Sequence, residues 1–208
     1  MKKRILFLAL SMALLTICTY GQNGKKFYKA GSEFVENLKY EDAIVQFTSA
    51  IGAEPSNADY YYARGMAYEA MLKNTEAKSD FEKAIVFEPK NVDVLVSLGA
   101  VCNKMGDYNS ALVLFNEILD KDPSNIYIRY YSGLASIEAN QNQKAIGEFK
   151  YIIDQKNNLF VENAQWYLAL SYLKNNQVKD AKSLLVQINN SSNPHNKEAS
   201  QILKRITE

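Results

Sequence analysis

The chain has 208 residues, 47% of them hydrophobic and 23% charged, with a formal net charge of +1. This composition suits one sizeable folded domain and excludes disorder of the whole chain. No block of like charge stands out, so the electrostatic footprint of a nucleic-acid binder is missing, as is a polybasic membrane-surface patch.

The first predicted element is a secretory signal peptide over residues 1–21. Lys2, Lys3 and Arg4 form a basic head, Ile5 to Ile17 an apolar run, and Thr19 and Gly21 a small-x-small site before polar Gln22. Cleavage is expected after Gly21. The run falls short of the ~20 residues needed to span a bilayer, which disfavours an uncleaved anchor. Cys18 offers a second outcome, a lipidated mature chain, but Ile17 puts bulk where the peptidase wants a small residue. The expected location is the periplasm or the outer membrane, with membrane association only through lipidation or a partner. Processing leaves 21 basic against 23 acidic residues. It also leaves Cys102 without a second cysteine, so stability must come from packing rather than a disulfide.

From residue 22 onward the chain repeats itself. Gly31, Gly65, Gly99 and Gly133 recur at one fixed step, and Ala43, Ala77, Ala111 and Ala145 recur at the same step. Phe47, Phe81, Phe115 and Phe149 keep it too, as do Pro55, Pro89 and Pro123. Each unit holds two apolar stretches at helical spacing joined by short polar turns. In the first unit Phe27, Ala30, Gly31 and Phe34 share one face of a predicted helix. The small residues there let a second helix, carrying Ala43, Phe47 and Ala50, approach closely. Gly and Ala therefore act as spacers. The prolines end the second helices, since proline lacks the donor and clashes with the preceding turn.

The pattern resembles the tetratricopeptide-repeat family. The first three units match it closely, at Phe27, Gly31, Phe34, Ala43, Phe47, Ala50 and Pro55 and at the equivalent positions of the next two units. The fourth is a degenerate copy, with Arg129 and Ser136 where large apolar residues are usual. The fifth carries Leu168, Ala169, Tyr172, Ala181, Leu185 and Ile188 after a two-residue insertion within 155–161. The resemblance implies an all-α, right-handed solenoid of about five helix-turn-helix repeats over 22–192, at 24–57, 58–91, 92–125, 126–161 and 162–192. Residues 193–208 would cap it, with a helix from Asn196 to Thr207 that turns Ala199, Ile202, Leu203 and Ile206 to one side.

The resemblance also implies that ligands meet the first helix of each pair, at the second, fifth, ninth and twelfth positions of the unit. The fifth positions are Tyr28, Tyr62, Val96, Tyr130 and Trp166; the ninth are Ser32, Met66, Ala100, Leu134 and Leu170. A weakly charged concave groove lined by rings and small apolar groups is expected, with Tyr62, Tyr130 and Trp166 projecting into it free of the core. The Lys, Asn and Arg clamp with which co-chaperone members hold a terminal carboxylate is absent, because Tyr28, Ser32, Ala63, Asp93 and Ser97 stand in its place. The partner is therefore expected to be a protein or peptide of another kind, held by an envelope scaffold. The alternative is a fixed subunit of an envelope assembly, secretion or motility complex.

No nucleophile motif, phosphate loop, metal-ligand cluster or dinucleotide fingerprint occurs, and the expectation is a non-enzyme without metal or cofactor. His195, beside Pro194 in a polar stretch, is read as a solvated loop residue, and Asn189 to Ser192 as a polar linker before the cap.

Overall fold

The computed structural model describes residues 23–156 and 158–207; the expected signal peptide and Cys18 lie outside them. Every regular element among the described residues is a helix. α1 covers 23–36, followed by α2 Tyr40–Ala53, α3 Ala58–Ala70, α4 Asn74–Phe87, α5 Val92–Lys104 and α6 Tyr108–Lys121. The rest are α7 Ile126–Glu138, α8 Asn142–Asp154, α9 Val161–Lys174, α10 Val178–Asn189 and α11 Asn196–Thr207. The chain divides into two compact units, residues 1–101 and 102–208, the division falling inside α5.

In both units helices that follow one another in sequence pack on one another. In the first unit α2 packs on α3 and α3 on α4. In the second the same holds from α6 through α11. Phe47, Phe81, Phe115 and Phe149 are all within 1% of complete burial, and Ala43, Ala77, Ala111 and Ala145 are fully buried. The reason for the glycines is then geometric. A Cβ placed on Gly31 would lie 2.5 Å from the Phe47 ring, on Gly65 2.6 Å from Phe81, and on Gly133 2.6 Å from Phe149. Each first helix thus presses backbone onto the buried ring of its own partner helix. Gly99 is buried in the same register.

Asparagine starts the first helices, at a register the sequence reading passed over. Asn57 Oδ1 accepts from the Asp59 amide at 3.1 Å, Asn91 Oδ1 from Asp93 at 3.1 Å, and Asn125 Oδ1 from Ile128 at 3.1 Å. These three keep the step of the repeat, each standing two positions after a closing proline. Each satisfies an amide that the helix start leaves without an internal partner.

The turn inside each helical pair also repeats. In the first, the Lys39 amide donates to Phe34 O and the Leu38 amide to Val35 O, both at 2.9 Å. That pairing closes a helix around one left-handed residue. The left-handed residues are Leu38, Leu72, Gly106, Asn140 and Asn176, at φ from 58° to 79°. Glycine meets no steric penalty there, whereas leucine at Leu38 and Leu72 does. Leu72 is 80% exposed, so its side chain returns little packing energy. Leu72→Gly is therefore expected to stabilise the protein by about 1 kcal/mol, read as a higher denaturation midpoint, and an unchanged or lower midpoint would contradict it.

The degenerate fourth repeat replaces apolar packing with charge. Arg129 Nη1 donates to Glu148 Oε2 at 2.6 Å, its Nε donates to Pro123 O at 2.7 Å, and its guanidinium lies 3.9 Å above the Tyr151 ring. Ser136 is buried with its hydroxyl unpartnered, and Ser132 one turn earlier is the same.

Candidate functional site

Each unit carries an open apolar groove built mainly from first helices. The groove of the first unit has a volume of about 460 Å³ and lies between α1 and α3, closed on one side by α2. Tyr28 and Tyr62 line it at the fifth repeat positions, Ser32 and Met66 at the ninth, and Val35 at the twelfth, with Tyr40 reaching in from α2. Glu36 is the single charged residue of this lining. The helical period puts these residues on one stripe of α1 and α3, beside the glycines that meet the core rings.

The rings of this groove are half-buried and shared with the core. Tyr28 lies 5.7 Å from Phe47 and stacks at 5.2 Å on Tyr60; Tyr62 lies 5.8 Å from Phe81. Burial pushes the Tyr28 hydroxyl above its usual pKa, and the nearby Asp59 carboxylate adds to the shift. Tyr60, which donates to Glu54 Oε1 at 3.1 Å, is pushed up to about 12, chiefly by burial and then by that bond. Met66 is 43% exposed and supplies the most accessible apolar surface of the groove.

The groove of the second unit has a volume of about 530 Å³. Leu134 and Leu170 line it at ninth positions and Asn103, Ile137 and Leu173 at twelfth positions. Glu138 and Lys174 bring one charge of each sign, and Tyr108 and Tyr167 complete the wall.

The expectation that Tyr62, Tyr130 and Trp166 stand free of the core is corrected here, for Tyr62 by its contact with buried Phe81. The Tyr130 ring sits 4.7 Å from Phe160, 6.3 Å from Phe149 and 6.1 Å from Tyr167, inside an aromatic cluster. Burial pushes its hydroxyl up to about 12, with Tyr167 and Tyr131 adding to the effect. The connection from α8 to α9 spans 155–160, longer than those at 54–57, 88–91 and 122–125, and the longer path lets Phe160 fold onto Tyr130.

Trp166 packs beside Ala169, Leu185, Ile188 and Ala199, where α9 and α10 meet the capping helix α11. Its ring stacks on His195 at 4.9 Å with only 10° between the planes. The reading of His195 as a solvated loop residue is corrected with it. The imidazole is half-buried, and its Nε2 lies 3.1 Å from Asn163 Oδ1. Asn193 holds the same corner, accepting from the His195 amide and donating to Glu162 O. A lone histidine gave no signal for this, because the stack joins α9 to the connection before α11, with the whole of α10 between them in sequence. Val96 is half-buried on α5.

Tyr40, Ile137, Leu173, Tyr108 and Tyr167 are groove residues that the sequence reading did not name. Ile137 and Leu173 follow from the twelfth-position rule, whereas Tyr40 and Tyr108 begin second helices and carry no such signature. Among the described residues no group of His, Cys, Asp and Glu could hold a metal ion, and no helix is long and apolar enough to cross a membrane.

Comparison with known proteins places this fold. Residues 28–77 match the sequence profile of the tetratricopeptide repeat family. No curated protein sequence matches. Among solved structures the chain is similar to YrrB, described as a tetratricopeptide-repeat protein with an unusual peptide-binding site, at 20% identity and a TM-score of 0.77 over 86% of this chain and 90% of that one. It is also similar to MamA from Desulfovibrio magneticus, at 18% identity and a TM-score of 0.72 over 90% of this chain and 98% of that one. A tetratricopeptide-repeat protein from Parabacteroides merdae shares 19% identity at a TM-score of 0.71, over 81% of this chain and 66% of that one. Residues 28–77 thus match the tetratricopeptide repeat family, and the structure has the tetratricopeptide-repeat fold.

Proposed function

We propose that this protein is a binding scaffold of the cell envelope, which holds segments of other proteins in the first-helix grooves of its two units. The observation that carries this reading is the lining of the grooves. Both present mainly apolar side chains at the ninth and twelfth repeat positions with tyrosine rings beside them, few charges and volumes suited to several ligand side chains. Apolar concavities of this kind, rimmed by polar residues, mark interaction sites. The chemistry is association alone, by packing on Tyr28, Tyr62, Met66, Leu134 and Leu170 and by hydrogen bonds at the rims. YrrB, the similar structure noted above, carries a peptide-binding site by its own description. The envelope location follows from the signal peptide expected over residues 1–21.

Site-specific photo-crosslinking in cells tests this. A photoreactive residue at position 66 or 170 is expected to capture a discrete protein partner. The same residue at position 113, where Val113 is 69% exposed on α6 away from either lining, is expected to capture none. Equal capture from all three positions would show that the grooves are not the binding surface.

A further inference from the structure

The two grooves differ at one repeat position, the thirteenth, where each first helix ends. In the second unit that position holds Glu138 on α7 and Lys174 on α9, and both line the groove. Lys174 reaches across to α7. Its Nζ donates to Ile137 O at 3.5 Å, a carbonyl that already accepts from the Asn140 amide at 3.2 Å. The last carbonyls of a helix form its negative dipole end and favour a cation, the more so beside a glutamate.

In the first unit the same position holds Glu36 on α1 and Ala70 on α3, and both again line the groove. Val35 O is the counterpart of Ile137 O and accepts from the Leu38 amide at 2.9 Å in the same way. Ala70 stands where the lysine would be, and the lining holds no lysine or arginine. Lys39 and Lys73, just before α2 and α4, are exposed and lie outside the lining. We propose that the partner supplies this cation: the groove of the first unit takes a peptide whose lysine side chain sits at Val35 O beside Glu36, with neighbouring apolar residues on Tyr28, Tyr62 and Met66. The proposal rests on the reading of the grooves as peptide sites and adds which peptide the first one selects. In the second unit Lys174 fills the equivalent place, so that groove asks no cation of its ligand.

The spacing of the groove sets the pattern of the ligand. Met66 is the most accessible apolar residue of the lining, and α3 rises about 6 Å from it to Ala70. An extended peptide covers about 6.6 Å in two residues and turns their side chains to the same side. An apolar residue over Met66 and a lysine at the Glu36 end are therefore two positions apart in the ligand.

The test selects random dodecapeptides from a display library on the purified protein and on its Ala70→Lys and Glu36→Gln variants. Ala70 and Glu36 are both exposed, and thermal melts check that the variants keep the fold. Selected peptides are then crosslinked through a photoreactive residue at position 66. The peptides captured there are expected to be enriched in lysine or arginine two positions from an apolar residue. Replacing that lysine by norleucine in a synthetic copy should weaken binding about two- to fivefold at low salt. The enrichment should vanish on Ala70→Lys, which supplies the cation from α3, and fall on Glu36→Gln. Peptides captured at position 66 without the enrichment, or with it undiminished on either variant, overturn the proposal and leave the groove reading standing. If nothing is selected, or no selected peptide crosslinks to position 66, both fall.

Discussion

Gly133→Leu is expected to destabilise the second unit by about 3 kcal/mol or more, at the upper end of the cost of overpacking. Even the first added atom, Cβ, would lie 2.6 Å from Phe149 Cζ. That ring cannot step aside. Phe149 is fully buried, stacks at 5.8 Å on Tyr167 and meets Tyr130 edge-on at 6.3 Å. Alanine at the same position should cost less, about 1 to 3 kcal/mol, because its gain in helix propensity of about 1 kcal/mol offsets part of the clash. Gly147 in α8 provides the control. A Cβ there meets nothing within 4 Å, so Gly147→Ala is expected to stabilise by roughly 0.5 to 1 kcal/mol. Thermal melts of the three variants, with hydrogen exchange of the α7 and α8 amides, decide the matter. Gly133→Leu at the wild-type midpoint would show that the backbone of α7 is free to retreat.

Breaking the Arg64–Asp80 pair should cost about 3 to 5 kcal/mol, since it leaves a charge buried without its partner. Arg64 Nε and Nη2 each donate to Asp80 at 2.7 Å, and Nη1 donates to Thr48 Oγ1 at 3.0 Å. The side chains are 18% and 6% exposed, too sheltered for water to replace the lost bonds. The arrangement ties α3 to the second helices of two successive repeats. Asp80→Ala is therefore expected to be the more damaging change in the first unit, with Arg64→Met somewhat milder because the aliphatic stem is kept. The double variant Arg64→Met with Asp80→Leu should recover most of the loss, because apolar replacement of both partners removes the desolvation penalty together with the bond. Chemical denaturation of the two single variants and the double variant gives the coupling. A double variant as unstable as Asp80→Ala would place the effect in shape rather than charge.

The order of helices and the residues at their closest approaches were legible because both are written periodically. A glycine once in each of the first four repeats, with a phenylalanine always at the same offset behind it, leaves one arrangement in which backbone meets ring. The groove was legible in the same way at Tyr28, Tyr62, Met66, Leu134 and Leu170, which lie on stripes set by the helical period. Arg64 and Asp80 were not, because two charged residues on different helices carry no signature until those helices pack. Leu38 and Leu72 gave no warning of a left-handed turn, which glycine or asparagine would have announced.

The sequence by itself determined the repeat, the helical pairs, the spacer glycines and the stripe of each first helix that lines the grooves. These depend on periodicity within a single repeat and its neighbour, and a fixed period has one satisfactory packing. Only the tertiary structure decided what each fifth-position ring packs against. Tyr62 lines a groove beside Phe81, whereas Tyr130 packs on Phe160 and Trp166 stacks on His195. Phe160 and His195 come from the longer connections at 155–160 and 190–195, whose paths follow no repeat. A loop of that length settles wherever it buries its apolar side chains and satisfies its backbone, and that choice is made against the folded helices.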